Sequence, residues 1–218
     1  MNTTRTESAI SIRREHLHRR GVRLEWFTVS WNVIEAFVAI GAGLIAGSTA
    51  LIAFGVDSLI EMISAIVLLW RLLQTGPHAT AEEHSHAERR ALFLVSATFF
   101  LLAAYVTFES ISALVTREAP DSSTVGLVLS VLSLIIMPVL AYTKQQTGRE
   151  LDSKALQADA VETWVCSYLS FTLLAGVGLN FAFGWWWADA VGALMMLPVI
   201  LWQGWETFEE AHAAGLMA

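Results

Sequence analysis

An all-α membrane protein with six transmembrane helices is what this sequence of 218 residues predicts, and three observations predict it. Apolar residues make up 55% of the chain and charged residues only 15%. The apolar residues fall in long blocks, not in amphipathic stripes, and about 20 of them suffice for a helix to cross the hydrocarbon layer. Six such blocks follow one another with only short connections between them, which leaves no room for a sizeable soluble domain.

The expected division is a basic N-terminal segment at 1–23, a six-helix transmembrane domain at 24–209 and a short tail at 210–218. The first segment reads as a flexible lead or a short surface helix, with His16 and His18 as part of a basic surface. Its arginines precede a full-length span rather than the short apolar core of a signal peptide. Span one covers about 25–44 and contains Asn32 and Glu35. Gly41, Gly43 and Gly47 read either as a close-packing face or as an aid to the turn that follows. Span two, at 46–71, carries Asp57 and Glu61 in its middle. A polar loop at 75–90 leads to span three, about 91–115, with Glu109 near its far end. Pro120 and Asp121 mark a turn before span four, about 125–142, where Pro138 is tolerable if neighbouring helices satisfy the freed carbonyl. A second polar connection at 144–154 opens span five, about 155–179, which carries Asp159, Glu162 and Cys166. Trp185, Trp186 and Trp187 form an interfacial aromatic belt before span six, about 189–205, and its acidic tail.

Basic residues set the expected orientation. Every Lys and Arg except Arg117 lies before span one, between spans two and three, or between spans four and five. The positive-inside rule turns those segments, and both termini, to the cytoplasm. Counting from the ends at 1.5 Å per residue then brings Glu35, Asp57, Glu61, Glu162 and Cys166 to within a few ångströms of the bilayer midplane.

Acids at that depth call for an explanation. Each costs roughly 2.5–3.5 kcal/mol at the centre of a membrane helix, against about 0.3–0.6 returned by a Leu or Ile. Interhelical polar bonds yield about 0.6 kcal/mol on average, too little to retain three acids for packing alone. No Lys or Arg is expected at the same depth, so a cation from outside is the natural partner of Asp57, Glu61 and Glu162. Asp57 and Glu61, four residues apart, share a helix face, and Glu162 and Cys166 repeat that spacing on span five. Cys166 reads as a thiolate ligand or as a small buried hydrophobe. Glu35 reads equally as a proton carrier or a neutral packing acid, and Asp159 as a cytoplasmic gate or a helix-start residue. In the first loop His78, Glu82, Glu83, His84, His86 and Glu88 have the donor types of a loose metal-capture site, and equally those of a solvated linker.

The stretch from Gly47 to Glu61 resembles the second-helix signature of the cation diffusion facilitators. Ser153 to Glu162 is similar to that family's fifth-helix entry, and Trp187 to Leu194 to its sixth helix. The resemblance implies a homodimeric exporter of divalent cations that exchanges metal for protons across the plasma membrane. It implies no enzyme activity, no prosthetic group and no nucleic-acid partner. Its transport ligands would be Asp57, Glu61, Glu162 and Cys166, with Asp159 and Glu35 nearby. The family's usual histidine is absent from every span, and Cys166 replaces its final fifth-helix aspartate. The soluble domain that usually follows helix six is expected to be missing. Three carboxylates and a thiolate suit zinc or cadmium; an all-oxygen set would favour manganese. The competing reading is a transport-incompetent membrane protein that binds metal and regulates a partner. A membrane protease built on the acids ranks third, for want of a Gly-rich catalytic turn.

Overall fold

The structure, a computed structural model, describes residues 2–46, 49–76, 81–117 and 124–216, with side chains for 11–45, 51–76, 85–117 and 124–213. Six helices make up the described chain: α1 (Asn2–Ala46), α2 (Thr49–Gln74), α3 (Ala81–Thr116), α4 (Thr124–Leu151), α5 (Lys154–Phe183) and α6 (Ala188–Leu216). All six are long and apolar enough to cross a membrane, so the expected fold class holds, and the chain is a multi-pass integral membrane protein. Large apolar side chains such as Phe37, Phe108 and Phe181 point outward, as hydrocarbon permits and water does not.

Helix α5 lies against α2, α3, α4 and α6, while α1 packs on α2 and α4. The main apolar core gathers residues such as Leu68, Phe99, Leu102, Val165 and Ile200 from α2, α3, α5 and α6. A smaller apolar contact joins Ala39, Leu51 and Leu129 of α1, α2 and α4. Buried polar side chains, among them Glu35, Glu61 and Asp159, collect where α2 meets α1, α4 and α5.

Several helices run further than the apolar blocks suggest. Helix α1 is continuous from Asn2, and from Leu17 onward the basic segment packs on the bundle instead of leading loosely into it. His18, expected on a basic surface, sets its Nε2 2.8 Å from the Leu72 carbonyl and 3.1 Å from that of Thr75, and so caps the end of α2. Helix α4 continues through Leu151, so most of the expected connection at 144–154 is helical. Ser153 then caps α5, its Oγ accepting from the Leu156 N–H at 3.1 Å. Glu88 of α3 accepts from the Ala155 N–H at 2.7 Å and pairs with Arg71, which ties the ends of α2, α3 and α5 together. His78 lies outside the described residues, as do the side chains of Glu82, Glu83 and His84. At the opposite end Gly184, at φ 70°, closes α5 with its N–H on the Asn180 carbonyl, and Trp185 stacks on Trp187 at 5.4 Å.

Of the Gly41, Gly43 and Gly47 pattern, Gly43 is buried and Gly47 lies outside the described residues, and a close crossing of α1 and α2 occurs at Gly55. Nothing lies within 4 Å of a Cβ built at Gly41, whereas one at Gly55 of α2 would stand 2.6 Å from Ile40 Cγ1 and 3.2 Å from the Ala36 carbonyl oxygen. Gly55→Val should therefore lower stability by about 1–3 kcal/mol through overpacking, with part of the loss recovered by adding Ile40→Ala. Thermal melts of the three purified variants in detergent check this; a Gly55→Val protein as stable as the parent would show that α1 and α2 have slack at this crossing.

Candidate metal centre

Helices α2 and α5 run antiparallel at the seam, so residues that descend one helix meet residues that ascend the other. Asp57 lies beside Cys166. A turn further along α2, Glu61 lies beside Thr163 and Cys166. A further turn brings Ser64 to α5, where its hydroxyl donates to Asp159 Oδ1 at 2.6 Å. The four-residue spacing on each helix, legible in the sequence, is thus matched in register across the interface.

The acids differ sharply in how they are satisfied. Glu35 accepts from Ser58 of α2 at 3.1 Å and from Ser133 of α4, which gives each of its oxygens a hydroxyl partner. Asp159 is likewise complete, with Ser64 on one oxygen and Lys144 Nζ 2.5 Å from the other. Glu162 takes only one such bond, from Thr98 of α3 at 3.1 Å. Its Oε1, together with Asp57 Oδ1 and Glu61 Oε1, is buried without a hydrogen-bond partner. Buried carboxylate oxygens are rarely left so, because each forfeits the solvation that made it stable in water. Cys166 is buried next to them and is close enough to interact with both Asp57 and Glu61.

The five acids and one thiol singled out from the sequence therefore separate into two groups. Asp57, Glu61, Glu162 and Cys166 border the α2–α5 seam with unsatisfied oxygens among them. Glu35 and Asp159 flank it with their own partners. Among the described residues no three His, Cys, Asp or Glu side chains stand around a single point in coordinating geometry. The donors are near neighbours rather than a closed shell.

Lys144 corrects one expectation. The sequence sets it in the polar connection at 144–154. In the structure it is fully buried, bound to Asp159 and 3.2 Å from Glu25 Oε2 of α1, itself fully buried. Sequence reasoning also missed Glu25, because it falls at the very start of the first apolar block. Asn32, noted only as a neighbour of Glu35, is buried with neither side-chain atom partnered, and Ser130 of α4 is buried and unpartnered too.

Among known proteins, an uncharacterized transporter of Synechocystis sp. is 28% identical over 78% of this chain and 56% of its own length. The cation-efflux pump FieF of Shewanella oneidensis is 23% identical, over 71% of this chain and 53% of its own. A cadmium, cobalt and zinc/H(+)-K(+) antiporter of Bacillus subtilis is 22% identical, over 90% and 64%. The chain thus spans between about half and two thirds of the length of these relatives. Residues 26–214, nearly the whole six-helix bundle with its acid-lined seam, match the cation efflux transmembrane domain, and the chain belongs to the cation efflux family.

Proposed function

We propose that this chain exports a divalent transition-metal cation, zinc foremost, from the cytoplasm in exchange for protons, working as a homodimer in the bilayer. Asp57, Glu61, Glu162 and Cys166 are the proposed ligands. The observation that carries the proposal is the set of three buried, unpartnered carboxylate oxygens on two facing helices, Asp57 Oδ1, Glu61 Oε1 and Glu162 Oε1. A dication lying between α2 and α5 supplies what they lack, and the adjacent thiol adds a soft donor that zinc and cadmium favour. The names of the Shewanella and Bacillus relatives, a cation-efflux pump and a cadmium, cobalt and zinc/H(+)-K(+) antiporter, point the same way.

Exchange with protons follows from the same crowding. Three carboxyls set close together in a water-poor seam cannot all be charged without a cation, so the empty carrier keeps protons on the cluster. Metal ligands must be deprotonated, so loading a dication expels those protons and affinity rises with pH. A carrier that loads metal on one side and protons on the other is then an antiporter. Calorimetric titration of zinc in buffers of different ionisation enthalpy should report proton release. Glu162→Gln and Asp57→Asn should fold normally yet reduce zinc flux in proteoliposomes to background. Zinc binding without proton release, or parental flux in both variants, would refute the exchange.

The thiol makes a selective claim. Cys166→Ser should weaken zinc and cadmium binding by about tenfold or more while leaving manganese binding nearly unchanged, because a hydroxyl replaces the only soft donor. An equal effect on all three ions would reduce Cys166 to a packing residue.

Orientation is part of the same proposal, since export needs a defined inside. Both termini are placed in the cytoplasm by the arginine distribution. Cysteines introduced at exposed Ser85 and Gln146 should react with an impermeant maleimide only from the cytoplasmic side, and those at exposed Thr116 and Thr124 only from outside. Thr147, although in the same connection by sequence, is buried against the bundle and is unsuited to labelling.

A further inference from the structure

Lys144 is fully buried, in a bundle whose other buried charges are nearly all acidic. Its ammonium is held between Asp159 Oδ2 of α5 at 2.5 Å and Glu25 Oε2 of α1 at 3.2 Å. Ser64 of α2 completes Asp159 from the other side at 2.6 Å. Four helices therefore meet around the Lys144–Asp159 pair. Asp159 lies three residues before Glu162 on α5, about one turn nearer the α4–α5 connection. Glu61, also on α2, is near enough to feel both Lys144 and Asp159. A cation entering from that end meets Asp159 before it meets Glu162, and meets it already occupied by an ammonium.

A purely structural ion pair accounts for this poorly. Burying such a group is costly, and an apolar replacement of similar size is often equally or more stable. The ammonium here also pairs with one full carboxylate at short range and with a second less closely, so Glu25 offers it somewhere to go when Asp159 is taken.

We propose that Lys144 is a tethered counter-cation: it occupies Asp159 at the α4–α5 end of the seam when no metal is bound, and an entering divalent cation displaces it toward Glu25. Lys144 is thus a positioning residue that lowers apparent metal affinity and holds α1, α4 and α5 together in the empty carrier. The inference rests on the cation-carrier reading given above, and deepens it.

The test is zinc and cadmium titration of the purified full chain in detergent, for the parent, Lys144→Arg, Lys144→Met, the double variant Lys144→Met/Glu25→Gln, and Glu162→Gln. The double variant removes one charge of each sign and so guards against a misfolded Lys144→Met. Without the competitor, the Met-containing variants should bind metal tighter by about tenfold or more, the scale of one charge-assisted hydrogen bond. Lys144→Arg should restore parental affinity. Parental affinity in folded Lys144→Met or in the double variant, even with a lowered melting temperature, would overturn the inference and leave Lys144 a structural tie. Failure of the parent to bind either metal, or full binding by Glu162→Gln, would instead overturn the carrier reading beneath it.

Discussion

Carboxyl groups taken out of water must be neutralised, bonded or left in want of a partner, and the arrangement of this bundle follows from how each acid meets that requirement. Along the α2–α5 seam all three solutions occur within a few turns. Glu35 is bonded by serines of two helices. Asp159 is neutralised by a lysine and bonded by a serine. Asp57, Glu61 and Glu162 each keep an oxygen that nothing in the described chain satisfies. The first two solutions fix helices in place, and the third is what a mobile cargo can exploit. On the proposed reading, scaffolding and transport fall to different acids of this polar region.

The placement of the seam matters as much as its contents. The larger apolar core draws on α2, α3, α5 and α6, while Glu35 of α1 takes two hydroxyl bonds, from Ser58 of α2 and Ser133 of α4. Polar contacts between membrane helices are individually weak, about 0.6 kcal/mol on average. Gly55 permits α1 and α2 to approach closely.

Much of this was legible in the sequence. The six blocks announce six helices because hydrocarbon tolerates little else. Asp57 and Glu61, set in the middle of a long and otherwise nearly uncharged apolar run, could be recognised as exceptional, and the same spacing recurs at Glu162 and Cys166 on α5. What could not be read was the pairing of each acid. Lys144 stands two residues beyond Tyr142 among Gln145, Gln146 and Thr147, where an apolar block has ended and a loop is the natural inference. Helix α4 in fact continues to Leu151, and its buried face there carries Lys144, Thr147 and Gly148. Hydropathy reports where hydrocarbon stops, not where a helix stops, and it is silent on which neighbour a buried charge will meet. His18 and Glu88 escaped for the same reason: each looked like a surface group and is a tie between helix ends.

X-ray absorption at the zinc edge of the zinc-loaded protein tests the central claim most directly, because it reads the atoms around the metal. Every histidine lies outside the predicted spans, so ligand chemistry separates an intramembrane site from a surface one. A seam formed by α2 and α5 predicts a shell of oxygens with one sulfur at about 2.3 Å, the sulfur vanishing in Cys166→Ser. A shell dominated by imidazole nitrogen, unchanged in that variant, would contradict the account and move the metal to the histidines outside the membrane.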